Sequence, residues 1–237
     1  MKELFHIHTY RCGHAEKISD EAYVLKAIEY GAARITFTDH APFPGNPFGS
    51  RMRYEELPEY ISTLKELRDK YKDTLDIKIG LEIEYLPGFK DYYQELRGSG
   101  DFDLLMIGQH MYEVSTGEYS FNYPELRMVE YEGCLNAVIE GVQTGLFDVV
   151  AHPDRAFRRV KEWNAKCEEL SNKVISVTRQ YNVMLEQNYS SMKRKNNYRA
   201  EFWNLVPEEN SIIQGIDAHS IRELKEFFFA HFNRHNL

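Results

Sequence analysis

Histidines recur at the ends of predicted strands in this sequence, often two residues away from another histidine or a carboxylate. His6 and His8 close the first predicted strand, and Asp217 precedes His219 by two residues after the last one. Side chains two residues apart lie on the same face of a strand, so each pair can present its donor atoms together. Because neutral imidazole suits zinc, iron and manganese ions, this spacing predicts a metal site.

Further candidate ligands follow the other predicted strands. His14 lies in the loop after the first strand, and three more histidines end the second, fourth and fifth strands, namely His40, His110 and His152. The third strand ends in Glu82 and Glu84, which share a face, so one of them is expected to supply a bridging carboxylate. A single histidine at such a place is usually a surface or hydrogen-bonded residue. Seven of them at strand ends are difficult to explain as structure alone.

Short apolar runs alternate with amphipathic helical stretches along the chain, which predicts parallel β-α-β units. Strands are predicted at residues 4–8, 34–38, 77–83, 104–107, 148–151, 183–186 and 212–216. Helices are predicted at residues 19–30, 56–71, 123–145, 162–181 and 220–232. Seven strands indicate a closed or nearly closed barrel, in which the C-terminal ends of the strands meet at one mouth. With no linker in the sequence, we expect a single domain over residues 1–237.

The composition narrows the range of partners. Hydrophobic residues make up 43% and charged residues 28%, as in ordinary globular proteins. The net charge of −8 argues against broad nucleic-acid binding. We expect no membrane partner and a cytoplasmic location, because no long apolar run or signal-peptide pattern is present and the three cysteines form no disulfide framework. Two histidines near the C-terminus, His231 and His235, are interpreted as surface residues.

As a set, these motifs resemble the polymerase-and-histidinol-phosphatase (PHP) superfamily. The resemblance is carried, in order along the chain, by His6-Ile7-His8, His14, Thr38-Asp39-His40, Gly80-Leu81-Glu82, Gly108-Gln109-His110, Ala151-His152-Pro153 and Asp217-Ala218-His219. Residues 10–15, 38–42 and 51–57 resemble the histidinol-phosphatase branch. The resemblance implies an α/β fold, a distorted (β/α)7 barrel with its metal site at the strand C-terminal face. It also implies three divalent metal ions, which could be zinc, iron or manganese.

The resemblance implies that the candidate ligands are divided among three metal ions. The ligands would be His6, His8, Glu82 and Asp217 for the first ion, Glu82, His110 and His152 for the second, and His14, His40 and His219 for the third. Glu82 is chosen over Glu84 because the family pattern places its bridging glutamate two residues after a glycine. Glu82 and Asp217 are the expected catalytic residues, and Asp217 could accept a proton from the attacking water.

Basic residues near two strand ends are candidates for binding a phosphate group. Arg155, Arg158 and Arg159 follow His152, and Arg53 lies in a loop at residues 41–54 that is expected to act as a lid or substrate-binding loop. Arginine suits this role because its planar guanidinium binds phosphate oxygens in pairs. The stretch after the histidine departs from the family pattern, in which a more apolar stretch often precedes the basic residue. The acid that protonates the leaving group could be Asp154 or a water on a metal ion.

The function implied is that of a metal-dependent phosphatase acting on a small phosphorylated metabolite. The leading substrate is L-histidinol phosphate, which would yield L-histidinol and phosphate. One alternative is another phosphate ester, such as a nucleotide, a sugar phosphate or phosphotyrosine. A second alternative is a barrel that binds metal without catalysis. The sequence makes no prediction of the oligomeric state.

Overall fold

A computed structural model describes residues 2–232 of the chain. The main sheet has seven strands in the order β1-β2-β3-β4-β7-β8-β9. These strands are β1 (Glu3–Ile7), β2 (Arg34–His40), β3 (Asp76–Ile83), β4 (Leu104–Ile107), β7 (Val149–Val150), β8 (Met184–Asn188) and β9 (Ile212–Gly215). A separate antiparallel hairpin is formed by β5 (Glu113–Ser115) and β6 (Glu118–Tyr119).

Helices separate most of the strands in the chain. They are α1 (Asp20–Glu29), α2 (Leu57–Tyr71), α3 (Lys90–Gly98), α4 (Glu130–Gln143), α5 (Ala165–Gln180), α6 (Tyr189–Met192), α7 (Ala200–Trp203) and α8 (Ile221–Phe232). All seven strands of the main sheet and five of these helices lie where the sequence predicts them, with small differences at the ends. In the part of the chain that the structure describes, no helix is both long and apolar enough to cross a lipid bilayer.

The structure also contains elements that the sequence analysis did not predict. Helix α3 buries Tyr92, Tyr93 and Leu96 at helical spacing, but charged and polar residues surround this short apolar stripe in the sequence. The hairpin and the short helices α6 and α7 were missed as well. The helix predicted at residues 123–145 begins only at Glu130, because a 3-10 segment with a proline at its first position precedes it.

Two compact units are distinguished within the chain. The first takes in the described parts of Met1–Glu82, Asp101–Leu104 and Gly215–Leu237, and the second takes in Ile83–Gly100 and Leu105–Gln214. Each unit has its own core of buried apolar side chains. The expectation of a single domain over residues 1–237 stays a prediction.

In the first unit, the N-terminal strand is paired on both sides. Strand β2 pairs in parallel with β1 and with β3. The segment after β9 pairs with the other edge of β1, since Ile216 N donates to Phe5 O at 2.9 Å and His8 N donates to Ala218 O at 2.9 Å. Residues from the beginning and the end of the sequence are therefore neighbours in this unit.

The second unit contains parallel strands and two long helices, α4 and α5. Strand β7 pairs with β4 through Met106 and Ile107, and with β8 through Met184 and Leu185. Helices α4 and α5 pack against each other. The C-terminal ends of these strands lead directly into the loops that carry the polar residues described below.

Three candidate ligands have a backbone conformation that is uncommon for residues other than glycine. The φ angles are 72° at His6, 31° at His152 and 58° at Asp217. At His6 the pairing of β1 with β2 shifts in register, and β1 ends at Ile7. The prediction that regular strand alternation places His6 and His8 on one face is therefore wrong, because His6 departs from strand conformation and His8 lies just past the end of β1. Backbone strain of this kind concentrates at functional sites.

The loop at residues 41–54 is anchored at both ends. Phe43 and Met52 are fully buried, and Met52 N donates to His40 O at 3.3 Å. The guanidinium of Arg51 lies 5.4 Å from the ring centroids of Phe43 and Phe48. The predicted role of this loop as a lid or substrate-binding loop stays a prediction.

Candidate metal centre

Seven of the predicted ligands belong to the first unit, where they form one cluster of imidazoles and carboxylates. They are His6, His8, His14, His40, Glu82, Asp217 and His219. Strand β1 and the loop after it, the ends of β2 and β3, and the segment after β9 supply them. Since these elements are adjacent in the pairing order of the first unit, their polar ends meet.

The tightest part of this cluster is the pair His6 and His8. Their Nε2 atoms lie 2.9 Å apart, and both side chains are fully buried. Asp217 Oδ1 lies 3.2 Å from His8 Nε2 and 3.8 Å from His6 Nε2. Donor atoms of these three residues all lie within 4.8 Å of one another, so they can converge on one ion.

Glu82 is buried at the centre of the cluster. Its Oε2 lies 3.0 Å from His40 Nδ1, 3.4 Å from His6 Nε2 and 3.5 Å from His8 Nε2. A carboxylate oxygen that faces three imidazoles is suited to sharing between two cations. This geometry agrees with the choice of Glu82 as the bridging residue, which stays a proposal.

A second convergence of donor atoms involves His219. Its ring stacks on that of His8 with centroids 4.1 Å apart, and it lies at a tilt beside the ring of His14 with centroids 4.6 Å apart. Donor atoms of His8, His40 and His219 lie within 4.8 Å of one another, as do those of Cys12, His14 and His219. The Cys12 thiol is buried, and burial raises its pKa to about 12.

The protonation behaviour of the cluster fits a cation-binding site. Burial lowers the pKa of His219 to about 2, so its imidazole is neutral, and its buried Nε2 has no hydrogen-bond partner among the described residues. Burial also lowers the pKa of His8, but the carboxylates of Asp217 and Asp39 outweigh this effect and raise it to about 9. Buried imidazoles beside buried carboxylates form a donor set that fits divalent zinc, iron or manganese.

The second unit holds the other two predicted histidine ligands, each beside a buried glutamate. The rings of His110 and His152 have their centroids 5.2 Å apart. His110 Nδ1 lies 3.0 Å from Glu84 Oε1, and His152 N donates to Glu186 Oε2 at 3.0 Å. Both glutamates are almost completely buried.

Sequence reasoning missed three of the acidic residues found here. Glu84 was weighed only as a substitute for Glu82, although it pairs with His110. Glu186 was placed at the end of a strand without a role. Asp39 was treated as part of a motif, although its Oδ1 lies 3.5 Å from His8 Nδ1. The available signal was the same for all three, namely an acidic residue at the C-terminal end of a predicted strand.

The predicted phosphate-binding arginines differ in their surroundings. Arg155 donates to Ser191 Oγ at 2.9 Å and to Asn188 Oδ1 at 3.1 Å. Two others, Arg158 and Arg159, both pair with the carboxylate of Glu130. In the first unit, the side chain of Arg53 is 70% exposed and lies 3.4 Å from Glu55 Oε2.

The remaining sequence-based candidates are also placed by the structure. Asp154 is fully buried, its Oδ2 accepts a hydrogen bond from Arg199 N at 2.9 Å, and burial raises its pKa to about 6. His231 lies in the last turn of α8 with an exposed side chain stacked on Phe227, as expected of a surface residue. His235 lies outside the described residues.

Among curated proteins, this chain is similar to one from Deinococcus radiodurans named "Probable histidinol-phosphatase". The two are 34% identical over 161 residues, which cover 63% of this chain and 59% of the relative. The match therefore spans less than two thirds of the relative's length.

Among solved structures, the chain resembles two proteins in its fold. A candidate histidinol phosphatase from Listeria monocytogenes superposes with a TM-score of 0.79 at 19% identity, covering 97% of this chain and all of that one. A histidinol phosphate phosphatase from Lactococcus lactis, crystallised with zinc, L-histidinol and phosphate, gives 0.71 at 22% identity over 97% of this chain and 93% of that one. Together with the seven-strand parallel sheet, these likenesses confirm the predicted α/β barrel fold.

The family itself is shown by a match along most of the sequence. The family model of the PHP domain matches residues 5–190. That region contains seven of the nine predicted ligands, and the remaining two, Asp217 and His219, follow it and belong to the same cluster in the first unit. The chain therefore belongs to the PHP domain family.

Proposed function

We propose that this chain is a metal-dependent phosphatase that hydrolyses a small phosphomonoester, with L-histidinol phosphate as substrate and L-histidinol and phosphate as products. The observation that carries this proposal is the buried convergence of His6, His8, Glu82 and Asp217. The name of the Deinococcus relative and the ligands in the Lactococcus structure support the choice of substrate.

The proposed cofactors are three divalent metal ions, which could be zinc, iron or manganese. Such ions acidify bound water and offset the negative charge that develops on a phosphoryl group. The contacts within the first unit support two groups of ligands. The first group is His6, His8, Glu82 and Asp217. The second group is His14, His40 and His219. The assignment of a further ion to Glu82, His110 and His152 stays a prediction from the family resemblance.

Two carboxylates have the proposed catalytic roles. Asp217 Oδ1 faces the Nε2 atoms of both histidines of the tight pair, so it is suited to accept a proton from the attacking water. Glu82 offers one buried oxygen to three imidazoles, which suits a ligand that is shared and rigidly held. The proposed role of Asp154 as an acid for the leaving group rests only on its position two residues after His152.

Among the basic residues, Arg155 is the best supported phosphate ligand. It belongs to the turn that follows His152, since Arg155 N donates to His152 O at 2.9 Å. Ser191 and Asn188 orient its guanidinium through neutral oxygens. By contrast, Arg158 and Arg159 share the negative charge of Glu130. Arg53 is held only by an exposed pair, which is worth little.

The test is phosphate release by protein of measured metal content. L-histidinol phosphate is compared at equal concentration with a nucleotide, a sugar phosphate, phosphotyrosine and an aryl phosphate. We expect release from L-histidinol phosphate to exceed release from the others, and His8→Ala to abolish turnover and reduce bound metal together. A matched control is His231→Ala, which removes a histidine outside the cluster.

The possible outcomes separate the alternatives. A metal-loaded protein that releases no phosphate from any ester would support the non-catalytic metal-binding barrel and overturn the proposal. Faster phosphate release from another ester of the panel would overturn the proposed substrate but would still support the proposed phosphatase activity. Full activity in a metal-free His8→Ala variant would overturn the metal-dependent scheme.

A further inference from the structure

A buried arginine lies in the short 3-10 segment after β1, three residues beyond His8. The side chain of Arg11 is only 1% exposed. Its NH1 donates to Asp20 Oδ2 at 2.8 Å, while its Nε and NH2 donate to the two carboxylate oxygens of Glu59 at 2.7 and 3.0 Å. A buried guanidinium with two carboxylate partners is held in one orientation.

Arg11 also fixes the direction of a hydroxyl group. Its NH1 donates to Thr9 Oγ1 at 3.1 Å, and its backbone N–H donates to the same oxygen at 3.4 Å. Since both of these groups can only donate, the single hydroxyl hydrogen of Thr9 is left for another acceptor. That acceptor is Asp39 Oδ2, which receives the Thr9 hydroxyl in a short hydrogen bond and the Thr9 backbone N–H at 3.3 Å.

Asp39 links this chain of hydrogen bonds to the metal-binding cluster. It is fully buried, and its Oδ1 accepts from His40 N at 2.9 Å and lies 3.5 Å from His8 Nδ1. The opposite nitrogen of His8, Nε2, faces Asp217 and Glu82. A carboxylate behind a metal-ligating histidine keeps the proton on the rear nitrogen and the lone pair of the front nitrogen toward the ion.

We propose that Arg11 and Thr9 are positioning residues, which orient Asp39 and through it hold the ring and tautomer of His8 for metal binding. This inference rests on the proposed function, because it takes His8 to be a metal ligand. Arg11 would then do more than join the loop after β1 to helices α1 and α2. It would raise the affinity of a site that it does not touch.

The hydroxyl of Thr9 offers the sharpest test. Thr9→Val keeps the shape of the side chain and leaves the contacts of Arg11 with Asp20 and Glu59, but removes the link to Asp39. Thr9→Ser is the matched control, because it restores the hydroxyl. Zinc affinity is measured by competition with a chromogenic chelator, without reference to activity. The Nδ1–H proton of His8 is followed by nitrogen-edited NMR in the zinc-loaded protein.

We expect Thr9→Val to weaken zinc binding by about 10- to 100-fold and to speed exchange of the His8 Nδ1–H proton, as for other outer-shell partners. Thr9→Ser is expected to stay within about threefold of the wild type. Equal affinity in the wild type and Thr9→Val, or equal weakening in Thr9→Val and Thr9→Ser, would overturn the positioning role and leave the proposed function standing. Failure of the wild-type protein to bind zinc, iron or manganese would overturn both.

Discussion

The Nε2 atoms of His6 and His8 lie 2.9 Å apart in a fully buried pair, and His6 reaches this position with a φ of 72°. Two ring nitrogens at this distance need a proton or a cation between or beside them. The carboxylates of Glu82 and Asp217 add negative charge at the same place. Protons and metal ions are therefore expected to compete for this pair, which makes metal loading measurable through stability and pH.

Removal of metal is expected to lower the melting temperature of the wild-type protein. An ion that binds only the folded state adds about 4 kcal/mol of stability when its free concentration is a thousand times its Kd. Differential scanning calorimetry with and without a chelator measures the effect. His8→Ala should remove most of the difference, whereas His231→Ala should keep it. An identical melting temperature for chelated and metal-supplied wild-type protein would contradict the prediction.

Metal binding is expected to release protons in neutral solution. The pKa of His8 is raised to about 9 in the metal-free fold, so at pH 7.5 a metal ion displaces about one proton from it. Affinity should therefore rise with pH up to about 9. Titration calorimetry in buffers of different ionisation enthalpy counts the protons, and a binding enthalpy that is independent of the buffer would show that none is released.

The same pKa predicts the pH dependence of the stability of the metal-free protein. A histidine whose folded pKa exceeds its unfolded value stabilises the fold while it is protonated in both states. The contribution of His8 is thus fully present below pH 6.5 and is lost as the pH rises to about 9. Chemical unfolding of wild-type and His8→Ala proteins at pH 6 and pH 9 measures this change. A larger stabilisation by His8 at pH 9 than at pH 6 would contradict the prediction.

Two helical glycines give a matched pair for testing the packing of the second unit. A Cβ at Gly141 would lie 2.8 Å from Ile107 Cδ1 and 3.0 Å from Tyr85 Cβ, whereas one at Gly98 meets nothing within 4 Å. We expect Gly141→Ala to cost about 1–3 kcal/mol of unfolding free energy through overpacking. Gly98→Ala should be neutral or stabilising by up to about 1 kcal/mol. Urea unfolding of both variants measures the difference, and equal stabilities would argue against the close packing at Gly141.

The proposed phosphate contact of Arg155 is testable with inorganic phosphate as a competitive inhibitor. Loss of a charged hydrogen-bond donor is expected to raise the inhibition constant of phosphate by about 10- to 100-fold in Arg155→Ala. Arg155→Lys keeps the charge but not the forked donors, so an intermediate value is expected. The control is Arg222→Ala, at a side chain that is 82% exposed. An unchanged inhibition constant in Arg155→Ala would remove this residue from the phosphate site.

Much of the fold could be predicted because buried parallel strands correspond to nearly continuous apolar runs in the sequence. The strand Leu104–Ile107, for example, begins and ends where the sequence predicts. Helix α3 could not be predicted with the same ease, since only three buried side chains mark its inner face. Its amphipathic pattern is shorter than the window over which helical periodicity becomes distinct.

The candidate ligands could be found from the sequence because each lies at or shortly after the end of a predicted strand, where local pattern and function coincide. The contacts that orient these ligands could not be predicted from the sequence. Arg11 meets Asp20 and Glu59 across turns and helices that sequence spacing does not relate. The direction of the Thr9 hydroxyl likewise depends on which donors surround it in three dimensions.

The pairing of the segment after β9 with β1 also has a consequence for biosynthesis. His8 N donates to Ala218 O, and Asp217 faces the imidazole of His8, a residue that is synthesised much earlier than Asp217. A nascent chain on the ribosome contains His6 and His8 long before Asp217 and His219 have been synthesised. Tight metal binding is therefore expected to be a late event, completed when the segment after β9 leaves the exit tunnel and pairs with β1.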